Sequence, residues 1–169
     1  MEIKRGERIA LTGGNGSGKS TLLKILLGEN MDYKGNIERG SDLKTSYIPQ
    51  DTTSLRGNLR SFIQSQKVDV TLCKTILRKL DFSRALFDLT MENYSDRQKK
   101  KVLIAMSLSK PAHLFIWDEP LNYIDVMSRV QIEEVLLDMQ PTLVFVEHDK
   151  RFVDTVATRT IALSCTEIY

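Results

Sequence analysis

The run Gly13-Gly14-Asn15-Gly16-Ser17-Gly18-Lys19-Ser20, followed by Thr21, carries the residue types that hold phosphate. It fits the spacing G-x-x-x-x-G-K-[ST]. Glycines at these steps let backbone N–H groups converge on a β-phosphate, and a helix start behind them favours anions. In that reading Lys19 bridges β and γ oxygens and the Ser20 hydroxyl ligates Mg²⁺. The bland alternative is a glycine-rich turn. At a glycine usage of about 7%, a chance match anywhere in the chain arises about one time in a hundred or less.

A second chemical cluster is His113-Leu114-Phe115-Ile116-Trp117-Asp118-Glu119, an apolar run that ends in two acids. Asp118 can hold Mg²⁺ through water there, and Glu119 can polarise an attacking water. Alone, the pair could be a strand followed by a solvated acidic turn. Beside a phosphate loop the catalytic reading prevails. Three further polar residues stand at the ends of apolar runs or ahead of helical ones: Gln50, Asp125 and His148. Taken singly, Gln50 could be a surface residue after a strand and His148 a capping or surface histidine. Asp125 could cap a helix beginning at Val126, or cap and bind together. His113 opens its strand and reads as structural.

These residues need elements to position them. Residues 8–12 form a short apolar run before the glycines, and residues 19–27 are nearly continuously apolar up to Gly28, so strand, tight loop, helix and glycine cap are predicted. Residues 36–38 and 44–48 read as extended runs around the turn-rich Arg39-Gly40-Ser41-Asp42, which predicts a hairpin over 34–48. The stretch 51–91 reads as a small helical insert, with Leu72, Ile76, Leu77 and Leu80 at helical spacing. Ser95 and Gln98 form a capping box at the head of a strong helix over 95–109, with Pro111 just beyond it. Strands are predicted at 113–117, 142–146 and 160–163, and Ile132, Val135, Leu136 and Met139 mark an amphipathic helix. Strands alternating with helices imply an α/β fold with a mostly parallel sheet, helices on both faces and a small helical subdomain at about 51–110. Ligands of such a sheet bind at the carboxyl ends of its strands, where Thr12, Trp117 and Val146 lie.

Composition narrows the class. With 169 residues, 24 Lys+Arg, 22 Asp+Glu and 41% hydrophobic residues, the chain reads as one globular domain with a sizeable core. No apolar run approaches the roughly 18 residues of a membrane-spanning helix. The N-terminal residues show no secretory signal, so direct membrane insertion is not expected and a cytoplasmic location is. A formal net charge of +2 supplies no overall footprint for nucleic acid. Lys99, Lys100 and Lys101 are the basic cluster near a motif, readable as a solvated helix face or as a contact for ribosomal RNA. Cys73 and Cys165 have no metal-ligand or disulfide spacing and read as reduced filler.

The phosphate loop, Tyr47-Ile48-Pro49-Gln50, Tyr94-Ser95-Asp96-Arg97-Gln98, Asp118-Glu119, Leu121-Asn122-Tyr123-Ile124-Asp125 and Glu147-His148-Asp149 stand in the order found in ATP-binding cassette (ABC) ATPases. The chain resembles that family, a branch of the P-loop NTPases, over nearly its whole length. The resemblance implies that Gln50 is the Q-loop glutamine contacting Mg²⁺ and water, and that Ser95, Gln98 and their neighbours form the signature. It also implies that Asp125 lies in the D-loop at a dimer interface and that His148 is the switch histidine on γ-phosphate. Glu-Pro-Leu-Asn-Tyr-Ile-Asp at 119–125 and Gln98-Lys99-Lys100-Lys101 are similar to the soluble F subfamily, with the fine pattern of the second cassette of antibiotic-resistance proteins. Those proteins act on the ribosome.

Two departures carry expectations. The family's cassette has further strands upstream, with an aromatic residue on adenine, so the chain resembles an N-terminally truncated cassette. Asp96 and Arg97 replace glycine where backbone must approach the γ-phosphate of the opposite cassette. The resulting expectation is Mg-ATP binding and hydrolysis as one cassette of an ABC ATPase, with a second cassette and the ribosome as partners and weak turnover in the isolated chain. The rivals are the ATPase subunit of a membrane transporter and a nucleotide-dependent interaction module without turnover.

Overall fold

The computed structural model describes residues 1–53 and 55–164. Cys165, one of the two expected reduced thiols, lies outside the described residues. Cys73 is a free, buried thiol. Five strands, β1 (Arg8–Thr12), β2 (Thr45–Ile48), β3 (Leu114–Asp118), β4 (Leu143–Val146) and β5 (Arg159–Ala162), form one sheet in the order β2-β3-β4-β1-β5. Every pairing is parallel, with Ala10 opposite Phe145 and Tyr47 opposite Ile116.

Strand residues alternate between two apolar faces, as a sheet covered on both sides requires. Ile9, Leu11, Leu114, Ile116, Val144 and Val146 face one side, where Leu22, Leu23, Leu26 and Leu27 of α1 (Lys19–Leu27) pack on them. Ala10, Phe115, Trp117, Leu143 and Phe145 face the other. That second core also takes residues of α2 (Leu59–Ser65), α3 (Val70–Lys79), α4 (Asp96–Leu108), α5 (Val126–Met139) and α6 (Lys150–Val156). Two 3₁₀ turns, 84–88 and 91–93, connect α3 to α4. Polar groups inside this core find partners: Trp117 Nε1 donates to Ser107 Oγ at 3.0 Å, and the Ser107 and Ser46 hydroxyls lie 2.9 Å apart. No described helix is long and apolar enough to cross a membrane.

Most predicted elements appear within a residue or two of their expected ends. Gly28 caps α1 at φ +92°, its N–H donating to the Ile25 carbonyl at 3.0 Å. Ser95 and Gln98 form the reciprocal capping box of α4. His113 is structural as expected: its Nδ1 accepts from Lys44 N at 3.1 Å and its own N–H donates to the Lys44 carbonyl at 2.8 Å.

The hairpin over 34–48 does not form. Residues 36–38 are exposed and carry no strand, while Thr45–Ile48 pairs parallel with β3. An isolated two-stranded ribbon buries little, whereas beside β3 the strand sinks Ile48 and Ser46 completely into the interior. The lysine cluster is also turned around. Lys100 and Lys101 are buried rather than solvated, because α4 from its second turn onward is enclosed by the sheet and the neighbouring helices. Their stems pack among apolar groups and their ammonium groups reach backbone carbonyls. Helix α6 is an addition to the predicted elements, and Asp149 followed by Phe152, Val153 and Val156 supplies its cap and its apolar face.

Candidate active site

Four parallel strands deliver four chemical groups to one edge of the sheet: the phosphate loop follows β1, Gln50 follows β2, Glu119 follows β3 and His148 follows β4. A parallel sheet places all its carboxyl ends together, so residues remote in sequence converge there.

The phosphate loop turns from β1 into α1 through Gly13, Gly16 and Gly18, all at positive φ. At Gly13 only hydrogen fits: a Cβ would stand 2.4 Å from the Leu163 carbonyl oxygen and 2.7 Å from Ser17 Oγ. Lys19 is buried to 8% exposure, and its Nζ donates to the carbonyls of Gly13 at 2.9 Å and Gly14 at 2.8 Å. Gly14, Asn15, Gly16, Gly18 and Ser20 are exposed, and a Cβ at Gly14, Gly16 or Gly18 would meet nothing within 4 Å. Ser17 Oγ is buried, with no hydrogen-bond partner among the described residues. The loop is thus a cradle of backbone and one hydroxyl around a lysine, which fits a polyphosphate. Thr12, Gly13, Lys19, Glu147 and His148 line the adjoining cleft of about 310 Å³.

Asp118 ends β3, half-buried. Burial, then the Glu119 charge, push its carboxyl above the usual range, against the opposite pull of Lys100, Lys19 and Lys24. No group of three or more His, Cys, Asp or Glu among the described residues could hold a metal by itself. The Ser20 hydroxyl with the Asp118 carboxylate is a donor set of the kind that holds Mg²⁺ together with substrate phosphates, and to that extent the residues fit the ion.

Glu119 is the meeting point. Its Oε2 accepts from Gln50 Nε2 at 2.9 Å and from Asn122 Nδ2 at 2.7 Å, and its Oε1 lies 3.3 Å from His148 Nε2. Its backbone sits in the left-handed region at φ +47°, with its N–H donating to the Val146 carbonyl at 3.0 Å. The structure thus brings Gln50, Glu119 and His148 together. Asn122 belongs to a motif already singled out, yet its contact with Glu119 carries no local sequence signal.

Glu147 is a second addition. Although buried, it accepts from Leu121 N at 3.1 Å and from His148 N at 2.8 Å, tying the segment after Glu119 to the histidine turn. Asp149 caps α6 through Phe152 N at 3.0 Å and pairs with Arg129, whose Nε donates to the Ile124 carbonyl at 3.1 Å.

Ser95, Gln98 and Asp125 stand elsewhere. Ser95 and Gln98 bond each other, Ser95 N donating to Gln98 Oε1 at 2.9 Å. With Arg97, Lys101 and Tyr123 they line a separate cleft of about 370 Å³ that shares no residue with the phosphate-loop cleft. Asp125 caps α5 as predicted, accepting from Ser128 N at 3.0 Å and Ser128 Oγ at 2.7 Å. Those bonds hold its carboxyl down at about 2, and Arg97 adds to the effect.

A parallel sheet with a phosphate loop after β1 and an Asp-Glu pair after β3 defines a P-loop nucleotide-binding domain. The family model described as "ABC transporter" matches residues 1–122, so the chain belongs to the ABC family and is an ABC ATPase cassette. It is 33% identical over 170 residues to "ATP-binding protein Uup" of Caulobacter vibrioides, covering 95% of this chain and 28% of that protein. It is 28% identical over 167 residues to "ABC transporter F family member 2" of Arabidopsis thaliana, covering 95% and 25%. Among solved structures it matches the complex of archaeal ribosomal stalk protein aP1 and archaeal ribosome recycling factor aABCE1, with TM-score 0.80, 32% identity and coverage of 95% and 32%. The chain thus spans about a quarter to a third of the length of these relatives.

Proposed function

We propose that the chain is one cassette of a cytoplasmic F-type ABC ATPase that binds Mg-ATP and hydrolyses its terminal phosphoanhydride while acting on the ribosome. The observation that carries this reading is the convergence of Gln50, Asn122 and His148 on the Glu119 carboxylate beside the phosphate loop. Glu119 orients a water for in-line attack and accepts its proton, and the amide groups of Gln50 and Asn122 hold the carboxylate in place. Lys19 and the N–H groups of residues 13–20 neutralise the β- and γ-phosphates, and Thr21 extends that cradle. Ser20 and Asp118, with Gln50 beside them, would hold Mg²⁺, and the ion would supply neutralisation of the phosphate charge.

In this reading the whole chain is a single nucleotide-binding domain with a helical subdomain at about 51–110. Turnover requires a second cassette, whose signature faces this phosphate loop. Tyr123, Val126 and Met127, exposed at 70%, 64% and 71% beside Asp125, form an apolar patch suited to that contact. The F-type and ribosome-recycling names of the relatives support a ribosomal target, and the fine motif pattern supports antibiotic resistance as the parent's task.

The test uses the full-length parent. Glu119→Gln keeps the side-chain shape but cannot accept the proton. It is expected to bind Mg-ATP normally, to lose single-turnover hydrolysis at this site by about 10²- to 10⁴-fold, and to co-sediment with ribosomes in ATP. Hydrolysis at the wild-type rate overturns the role of Glu119. Co-purification with a membrane permease in place of ribosomes overturns the F-type reading.

A further inference from the structure

Lys100 is completely buried in the second turn of α4, the helix whose N-cap is Ser95. Its Nζ donates to the backbone carbonyls of Pro49 at 3.1 Å and Glu119 at 3.4 Å. These carbonyls belong to the segments that follow β2 and β3, so one ammonium joins three elements that are remote from one another in sequence. An ammonium leaves water only where other groups replace its hydration. Here the two carbonyls do so within the field of Asp118, Glu119, Glu147 and Asp51.

The bond to Glu119 falls at a strained step. Glu119 holds φ +47°, a conformation that side-chain-bearing residues keep only when their surroundings impose it. Its backbone is gripped on both sides of Cα, the N–H by the Val146 carbonyl and the carbonyl oxygen by Lys100. Lys101, the adjacent buried lysine, gives an internal comparison: its Nζ donates to the Leu80 carbonyl instead of to the segments that follow β2 and β3.

We propose that Lys100 is a positioning residue for hydrolysis, fixing the Glu119 backbone and locking it to the Pro49–Gln50 segment so that the signature helix and the catalytic carboxylate move as one unit. This rests on the reading of Glu119 as the proton acceptor. Lys100 touches neither nucleotide nor water in this role. Its effect falls on the rate of the chemical step and leaves binding alone.

The experiment compares Lys100→Met, Lys101→Met, Glu119→Gln and the Lys100→Met/Glu119→Gln double variant in the full-length parent, with Mg-ATP titration, steady-state kinetics and single-turnover phosphate release. Lys100→Met is expected to keep Mg-ATP affinity and KM within about twofold and to lose kcat by on the order of 10- to 100-fold, the cost of misplacing a catalytic group by about 1 Å. Lys101→Met lowers the melting temperature, and its loss of single-turnover hydrolysis at this phosphate loop, which Lys101 does not adjoin, stays well below that of Lys100→Met. In the Glu119→Gln background, adding Lys100→Met costs less than about twofold further, because both act through one carboxylate.

A kcat within twofold of wild type for folded Lys100→Met overturns the proposal, as does a Lys100→Met loss that multiplies in full with that of Glu119→Gln. If Lys100→Met does not fold, Lys100→Gln is read by the same kcat-to-affinity ratio, and unchanged kcat there overturns it equally. Wild-type turnover in Glu119→Gln alone overturns the base assignment and the positioning role together. Loss in Glu119→Gln without loss in Lys100→Met overturns the positioning role only.

Discussion

Arg97 and Asp125 stand 3.3 Å apart, guanidinium to carboxylate, joining the first turn of α4 to the N-cap of α5. The Arg97 side chain is thereby held by its own chain, beside the exposed Tyr123. Asp125 is shared among three donors: Arg97 and the amide and hydroxyl of Ser128.

That sharing has a signature in acid. The Asp125 carboxyl is held at about 2, below its ordinary 3.8, chiefly by the Ser128 bonds. A depressed folded-state value means that the ionised group stabilises the fold above pH 4, and that this contribution is lost as pH falls through about 2. Asp125→Asn keeps an amide oxygen for the cap but loses the charge. It should cost about 0.5–1 kcal/mol at pH 7 in urea denaturation, and the gap from wild type should narrow below pH 4. A gap constant from pH 7 to pH 3 contradicts this account.

Turnover in this chain should be limited by its signature. In the proposed reading of 94–98 as the signature, Asp96 brings a negative charge and Arg97 a Cβ and a guanidinium tethered to Asp125 where backbone is to approach phosphate closely. We expect little ATPase activity from the chain alone, and a rise in phosphate release, several-fold or more, for the Asp96→Gly/Arg97→Gly double variant, despite a helix cost of about 1 kcal/mol per glycine. Vigorous activity of the unmodified chain, lost on the double change, would instead make Arg97 an arginine finger.

Binding should depend on the phosphate loop lysine. Lys19→Ala removes the ammonium that bonds the Gly13 and Gly14 carbonyls and faces the phosphate cradle. Calorimetric titration with Mg-ATP should show a loss of about 2–4 kcal/mol in binding, some 30- to 1000-fold, with the circular dichroism of the fold retained. Unchanged affinity would remove the phosphate-loop assignment.

Features that depend on neighbours in sequence were readable from the sequence alone. A phosphate loop, a capping box and a helix-capping aspartate are built within a few residues, because each is a matter of backbone angles and short-range hydrogen bonds. The same holds for Gly28 at the end of α1 and for the apolar runs of β1, β3 and β4. Tertiary structure decided the rest. Thr45–Ile48 joined β3 across 69 residues of chain in place of a local hairpin, because a buried parallel neighbour covers more apolar surface than an exposed ribbon. Lys100 and Lys101 turned inward although three consecutive lysines read as solvated, since a helix enclosed by a sheet and other helices can offer carbonyls to a long charged side chain. Gln50, Asn122 and His148 were brought onto one carboxylate by three separate strand ends. Periodicity records which face of an element is apolar; which strands lie side by side is decided by the area they bury together, and that sum exists only in the folded chain.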